Sequence, residues 1–162
     1  MIDIVVAYDR IRTIGRDNQL PWQGEQAADM RHFRELTDGR AVLMGRRTLE
    51  SIGFALPNRR NLVLSRHELE FESCETVNSL DEAYEMTDRD LCVIGGQSVY
   101  EQALGSADRI YATELDTAWT DGDAFFPDID PADWHLTDSR KFLADSSNKY
   151  SYKFDTYERK LH

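Results

Sequence analysis

Asp29 is the side chain in this sequence most in need of a partner. A helix over Gln26–Thr37 places Asp29, Phe33 and Leu36 at i, i+4 and i+7, which puts the carboxylate in line with an apolar stripe. Carboxylates are rarely buried uncompensated, because desolvating an unpaired charge is costly. Just upstream runs Gly15-Arg16-Asp17-Asn18-Gln19-Leu20-Pro21-Trp22, a loop of turn formers that ends in an amphipathic aromatic. A loop beside an inward acid fits a lidded pocket for a polar heterocycle. An acid near a helix start that serves only the macrodipole fits the same position.

A second chemistry is written at the ends of apolar runs. Ile94-Gly95-Gly96 follows one such run and precedes a helical pattern, so backbone N–H groups can approach a phosphate there. Gly45-Arg46-Arg47-Thr48 repeats the arrangement with two guanidiniums and a hydroxyl, and Ser65-Arg66 follows a third run. Guanidinium forks match phosphate bidentately, so these ends suit a ligand with several separated phosphates; a solvated basic face is the plainer reading. Neither GxGxxG with a downstream acid nor GxxxxGK[ST] occurs.

The elements that must hold these residues alternate. Ile2–Tyr8, 41–44, 61–64 and 91–94 are short apolar runs of the kind that fill a parallel sheet, and Asp108–Leu115 adds another. Between them lie helical patterns over Gln26–Thr37, Arg46–Ile52, Leu80–Met86 and Ser98–Leu104. Alternation of this sort predicts an α/β fold with a largely parallel sheet, in one domain over residues 1–162. Residues 150–157 alternate large and polar side chains instead, which predicts an antiparallel strand paired near 134–141 at the sheet edge.

Composition narrows the partners. Thirty acids against nineteen bases give a net charge of −11, with fifteen Arg to four Lys and eighteen Asp to twelve Glu. Such a surface argues against nucleic acid and anionic membranes. Acid-rich, Lys-poor chains resemble cytoplasmic proteins of salt-accumulating organisms, whose surroundings screen self-repulsion; an ordinary acidic protein is the alternative. Residues 31–66 nevertheless hold eight Arg and three acids, a local sum of +5 that points to an anionic ligand. From 110 to 139 there are eight acids and no Lys or Arg. No run is long and apolar enough for a membrane span, and the start carries no basic leader pattern, so a cytoplasmic location is expected. Cys74 and Cys92 lack zinc or CxxC spacing, so no metal is expected.

Taken together these residues match a family. Ile14-Gly15, Asn18, Leu20-Pro21-Trp22, Asp29 with Phe33, residues 44–48, 50–53, 56–59, and 93–96 with Val99-Tyr100-Glu101 closely resemble dihydrofolate reductase. Tyr111 with Thr113, Gly122-Asp123 and Phe126-Pro127 extend the match along the whole chain. The resemblance implies an eight-stranded, mostly parallel sheet with an antiparallel C-terminal edge strand and four helices. It implies reduction of 7,8-dihydrofolate by hydride transfer from NADPH to C6 and protonation of N5, in a monomer.

It also distributes roles. Asp29 would hold the pterin 2-amino group and N3, and Trp22 would help order water for proton delivery; Tyr100 would sit near the nicotinamide. Phe33, Ile52 and Leu56 would wall the substrate cleft, with the Val5 and Ile94 carbonyls at the pterin end. Arg59 would clamp the glutamyl α-carboxylate, and Thr113 would support the acid. Ala7, Ile14, Gly15, Asn18, Leu20, Gly45, Arg46, Arg47, Thr48, Ser65, Arg66, Ile94, Gly95, Gly96, Gln97, Ser98, Val99 and Tyr100 would line the NADPH site. The Arg density would favour the 2′-phosphate of NADPH. Gln97-Ser98 stands where Gly-Arg is common, Leu49 replaces a frequent aromatic, and residues 23–26 lengthen the lid by two positions relative to short bacterial members. A riboflavin-pathway pyrimidine reductase shares fold and cofactor but lacks the Pro-Trp lid with its acid and the Arg59 clamp. A non-catalytic NADPH-binding module would need no inward Asp29.

Overall fold

Along most of the central strands, burial alternates between two apolar clusters, and that alternation builds the molecule. A computed structural model describes residues 1–69 and 71–161. In chain order the elements are β1 (Ile2–Tyr8), β2 (Thr13–Gly15), α1 (Ala27–Thr37), β3 (Ala41–Gly45), α2 (Arg46–Ile52), β4 (Arg60–Leu64), β5 (Cys74–Val77) and α3 (Leu80–Met86). There follow β6 (Leu91–Gly95), α4 (Gln97–Ala103), β7 (Arg109–Leu115), β8 (Ala124–Phe125), β9 (Trp134–Phe142) and β10 (Tyr152–Arg159). Eight strands form one sheet in the order β5-β4-β3-β6-β1-β7-β10-β9, and β2 pairs with β8 in a separate ribbon.

From β5 to β7 every neighbour is parallel. Ile2, Ile4, Val6, Leu43, Leu91 and Val93 face α3 and α4 in one cluster, with Ala83, Tyr84, Val99 and Tyr100. Val5, Val42, Met44, Cys92 and Ile94 face the other way and pack with Phe33 and Leu36 of α1 and Leu49 and Ile52 of α2. Strands covered on both faces must be apolar throughout, which is why they read as continuous runs.

The C-terminal pairing with 134–142 is as expected, but the edge is not where the alternation places it. β10 lies between β7 and β9, antiparallel to both, and β9 forms the rim. The period-two pattern of β10 reflects one face packed and one wet, a property of inner antiparallel strands as well as of edges. Three helix bounds shift by one residue: α1 begins at Ala27, and α4 spans Gln97–Ala103 instead of Ser98–Leu104. β2, β5 and β8 are too short, or too polar, to stand out by periodicity.

Buried charge fixes one end of the sheet. Asp3 is fully buried and receives Arg40 Nη1 at 2.9 Å and Arg109 Nε at 3.0 Å; Arg40 also reaches Asp90 at 2.8 Å. An uncompensated carboxylate there would be strongly destabilising, so the two guanidiniums are structural. Arg60 is likewise held by Glu75 at 2.7 Å. The positive sum of residues 31–66 is therefore only partly available to a ligand.

Candidate active site

β4, β3, β6 and β1 are consecutive parallel neighbours, and the usual ligand position for such a sheet is beyond the carboxyl ends of its strands. Asp29 lies in the first turn of α1, so both readings of its position hold: it complements the helix dipole and it faces inward. Burial among apolar groups pushes its carboxyl up to about 6, although Thr113 on β7 and Trp22 direct polar hydrogens toward it and favour the charged form. The Trp22 contact is longer than a direct hydrogen bond, since its buried Nε1 has no partner within reach among the described residues. Tyr100, buried on α4, feels the Asp29 charge and donates its hydroxyl to the Val5 carbonyl at 2.8 Å.

Apolar walls flank the acid. Phe33, Ile52 and Leu56 pack against Val5 and Ile94 in a single cluster. At the far end of α1, Arg59 is anchored rather than free: Nε donates to Thr37 Oγ1 at 3.1 Å, Nη1 to the Pro57 carbonyl at 2.6 Å and Nη2 to the Arg34 carbonyl at 2.8 Å. These bonds fix the guanidinium plane and leave N–H donors over for a carboxylate. Asp38, at 3.7 Å, is the nearest competing acid.

On the other side of Tyr100 a glycine cradle forms. A Cβ at Gly96 would come within 3.3 Å of Thr48 Oγ1, one at Gly95 within 3.5 Å of Tyr100 Oη, and one at Gly45 within 3.2 Å of Val99 Cγ2. Gly95 also takes φ +133°, a region that favours glycine. Gly45, Thr48, Gly95, Gly96, Val99 and Tyr100, which the resemblance assigns to one cofactor site, thus lie close together. Arg46 is exposed and pairs with Glu50 at 3.0 Å, while Arg47 and Arg66 have no ion pair among the described residues. The Ser65 hydroxyl is taken up by the His67 backbone.

The lid is tied down at several points. Asn18 Nδ2 donates to the Arg47 carbonyl at 3.1 Å, and the Asp17 N–H donates to Asp123 Oδ2 at 3.0 Å. Gly15 pairs across the ribbon with Ala124, Ile14 packs on the main core, and Ala7 and Leu20 pack with Trp22 and Trp119. Gln97 bridges elements: it donates to Glu101 at 2.9 Å and accepts from the Phe125 N–H at 2.8 Å. Ser98 Oγ accepts from Gln102.

Several supporting residues carry no local signal. Asn61, 2% exposed, exchanges hydrogen bonds with the Leu56 backbone and holds the turn before Arg59; a lone amide inside an apolar run is the one hint of it. Thr37 orients Arg59, and Trp119 meets Trp22 at 5.3 Å. Neither is recognisable without the fold.

Comparison with known proteins agrees with this arrangement. A family model described as dihydrofolate reductase matches residues 1–159. The chain is 39% identical to a dihydrofolate reductase of Bacillus subtilis, covering 99% of this chain and 95% of that protein. It is 41% identical to a type 3 dihydrofolate reductase of Salmonella typhimurium, covering 98% of each. A solved dihydrofolate reductase from Enterococcus faecalis, complexed with NADP(H) and RAB-propyl, superposes with a TM-score of 0.91 at 30% identity over 99% of this chain and 97% of that one. An inward acid beside a glycine cradle, on a sheet of this order, has its explanation in that kinship: the chain belongs to the dihydrofolate reductase family.

Proposed function

We propose that this protein reduces 7,8-dihydrofolate to 5,6,7,8-tetrahydrofolate with NADPH, and that Asp29 is its one catalytic carboxylate. The observation that carries the reading is Asp29 itself, an acid raised to about 6 by burial and set between apolar walls and the glycine cradle. Near neutral pH it is largely ionised, so it can hold the 2-amino group and N3 of a pterin by charge-assisted hydrogen bonds and favour protonation at N5. Trp22 lies over the acid and helps order the proton's approach through water. Phe33, Ile52 and Leu56 flank the ring, with the Val5 and Ile94 carbonyls at its far end. Arg59 meets the glutamyl α-carboxylate.

The cradle fits a dinucleotide: no Cβ crowds Gly95 or Gly96, and Arg47 and Arg66 have no ion pair among the described residues. NADPH, when bound, supplies the hydride. Gly95 and Gly96 would face its pyrophosphate, while Arg46, Arg47, Thr48, Ser65 and Arg66 would surround the 2′-phosphate side. Tyr100 would border the nicotinamide, with Ala7, Ile14, Gly15, Asn18, Leu20 and Val99 closing over it. Gln97 and Ser98 would contribute through backbone groups, since their side chains are engaged elsewhere.

The protein is read as a cytoplasmic monomer, one domain over residues 1–162, from a salt-accumulating organism. The net charge of −11 and the Arg-over-Lys balance support the last point. NADPH oxidation followed with dihydrofolate, with a pyrimidinone substrate and with none tests the activity. Turnover only with the pyrimidinone would favour the pyrimidine reductase, and none with either would favour a binding module.

A further inference from the structure

We infer that Asn148, far from Asp29 in sequence, is a positioning residue that caps α1 from outside and so frees Asp29 to face the cleft. This rests on the assignment of Asp29 as the catalytic acid. Helix α1 has Gln26 at its N-cap, a residue whose side chain makes no capping bond there. Asp29 is then the third helical residue, the place from which an acid ordinarily reaches back to satisfy free N–H groups at the helix start. Helix α3 does this for itself: Ser79 Oγ accepts from the Glu82 N–H at 3.1 Å, and Glu82 Oε2 accepts from the Asn78 N–H at 2.7 Å.

In α1 the task is performed from elsewhere. Asn148 Oδ1 accepts from the Ala28 N–H at 2.9 Å, and the Ser147 carbonyl accepts from the Ala27 N–H at 3.1 Å. Asn148 is 3% exposed and is itself fixed, its Nδ2 donating to Asp145 Oδ1 at 3.0 Å. Gln26 turns away to grip the same loop: it accepts from the Tyr150 N–H at 2.7 Å and donates to the Tyr150 carbonyl at 3.2 Å. Tyr150 meets Trp119 at 5.4 Å and Trp119 meets Trp22 at 5.3 Å, so the loop braces both the helix of the acid and the indole above it.

Asp29 is faced by Thr113 from β7, Trp22 from the lid, and Tyr100 from α4, the ionisable member of the three. At the cap the charged groups are Asp145 and Arg31, which interact with each other, and the Glu25–Lys149 pair at 3.0 Å beside Gln26 and Asn148. Asn148→Ala leaves all of these in place and removes the acceptor of the Ala28 N–H together with the Nδ2 bond to Asp145, a bond that exchanging the two side chains keeps. The Ala28 N–H then competes for Asp29, and a carboxylate that accepts backbone N–H bonds titrates lower.

The test is the pH profile of kcat/KM, which reports the free enzyme's acid. In Asn148→Ala the limb near 6 should move down by about half a unit or more, with the rate down by about fivefold, the equivalent of a lost cap. The exchange Asp145→Asn with Asn148→Asp keeps an acceptor for Ala28 and a donor within the turn, and should restore both. Ser79→Ala removes the cap of α3; it should lower Tm by a comparable amount, about 2–4 °C, with the limb unmoved. Should Asn148→Ala fail to fold, Asn148→Gln, which displaces the amide by one methylene, carries the same comparison. A wild-type profile in the Asn148 variant, no restoration in the exchange, or an equal shift in Ser79→Ala would overturn the inference. An active Asp29→Asn would overturn instead the assignment on which it rests; an inactive Asp29→Asn with unchanged Asn148 variants would sink the capping role alone.

Discussion

Asp29→Asn should make the ligand-free protein more stable while removing most of its activity. Burial raises the carboxyl from 3.8 to about 6, so the folded protein binds a proton more tightly than the unfolded chain. Between these two values the native state holds more protons, and stability falls as pH rises through the window. At about 1.4 kcal/mol per unit the full shift corresponds to roughly 3 kcal/mol. Part of Asp29 remains open to the cleft, and screening there reduces the figure to about 1–2 kcal/mol. The amide has no charge to desolvate, so the stability gap between variant and wild type should widen from pH 4 to pH 6 and level off above. Urea titrations of both proteins at several pH values measure that gap, and steady-state rates measure the activity loss, expected at about 2–4 kcal/mol of barrier. A gap independent of pH, or a variant less stable than wild type at pH 7, would mean that the acid is satisfied by its surroundings rather than strained by them.

Arg59→Ala should weaken dihydrofolate binding by roughly 1.5–3 kcal/mol, with NADPH affinity and tailless pteridines unaffected; binding measured with tailed and tailless ligands decides this, and equal losses would refute the clamp. Arg46→Ala and Arg66→Ala should each cost NADPH affinity about 1–3 kcal/mol and leave NADH almost unchanged. An unaltered NADPH/NADH ratio in the double variant would place the 2′-phosphate elsewhere. Denaturant midpoints should rise with KCl, most steeply at low salt, as the Debye length shrinks from about 30 Å to about 3 Å. A flat or falling midpoint would remove the argument for a salt-rich cytoplasm.

What the sequence made legible is what local pattern encodes. The parallel strands are apolar because both faces are covered, so their runs are visible without a fold, and the glycine turns mark their ends. Asp29 stands out as a candidate because it falls on an apolar stripe. The basic segment was harder: Arg40 answers Asp3, Arg60 answers Glu75, and Arg59 is tethered at Thr37, pairings that span from 15 to 37 residues of chain and leave no periodic trace. The same holds for β10, whose alternation is equally compatible with an edge and an inner place. Asn148 is the extreme case, because its partner Ala28 lies 120 positions away.

The indoles of Trp22 and Trp119 stand 5.3 Å apart and inclined by 42°, one on the lid and one on the segment between β7 and β8. Chromophores this close share their excited states, and the resulting couplet in the far-ultraviolet circular dichroism depends steeply on their separation and tilt. The third indole, Trp134, lies beneath the Arg159 guanidinium on the far strands and stays outside the pair. The native protein thus carries its own optical gauge of lid position, readable without a label in stopped-flow mixing with either ligand.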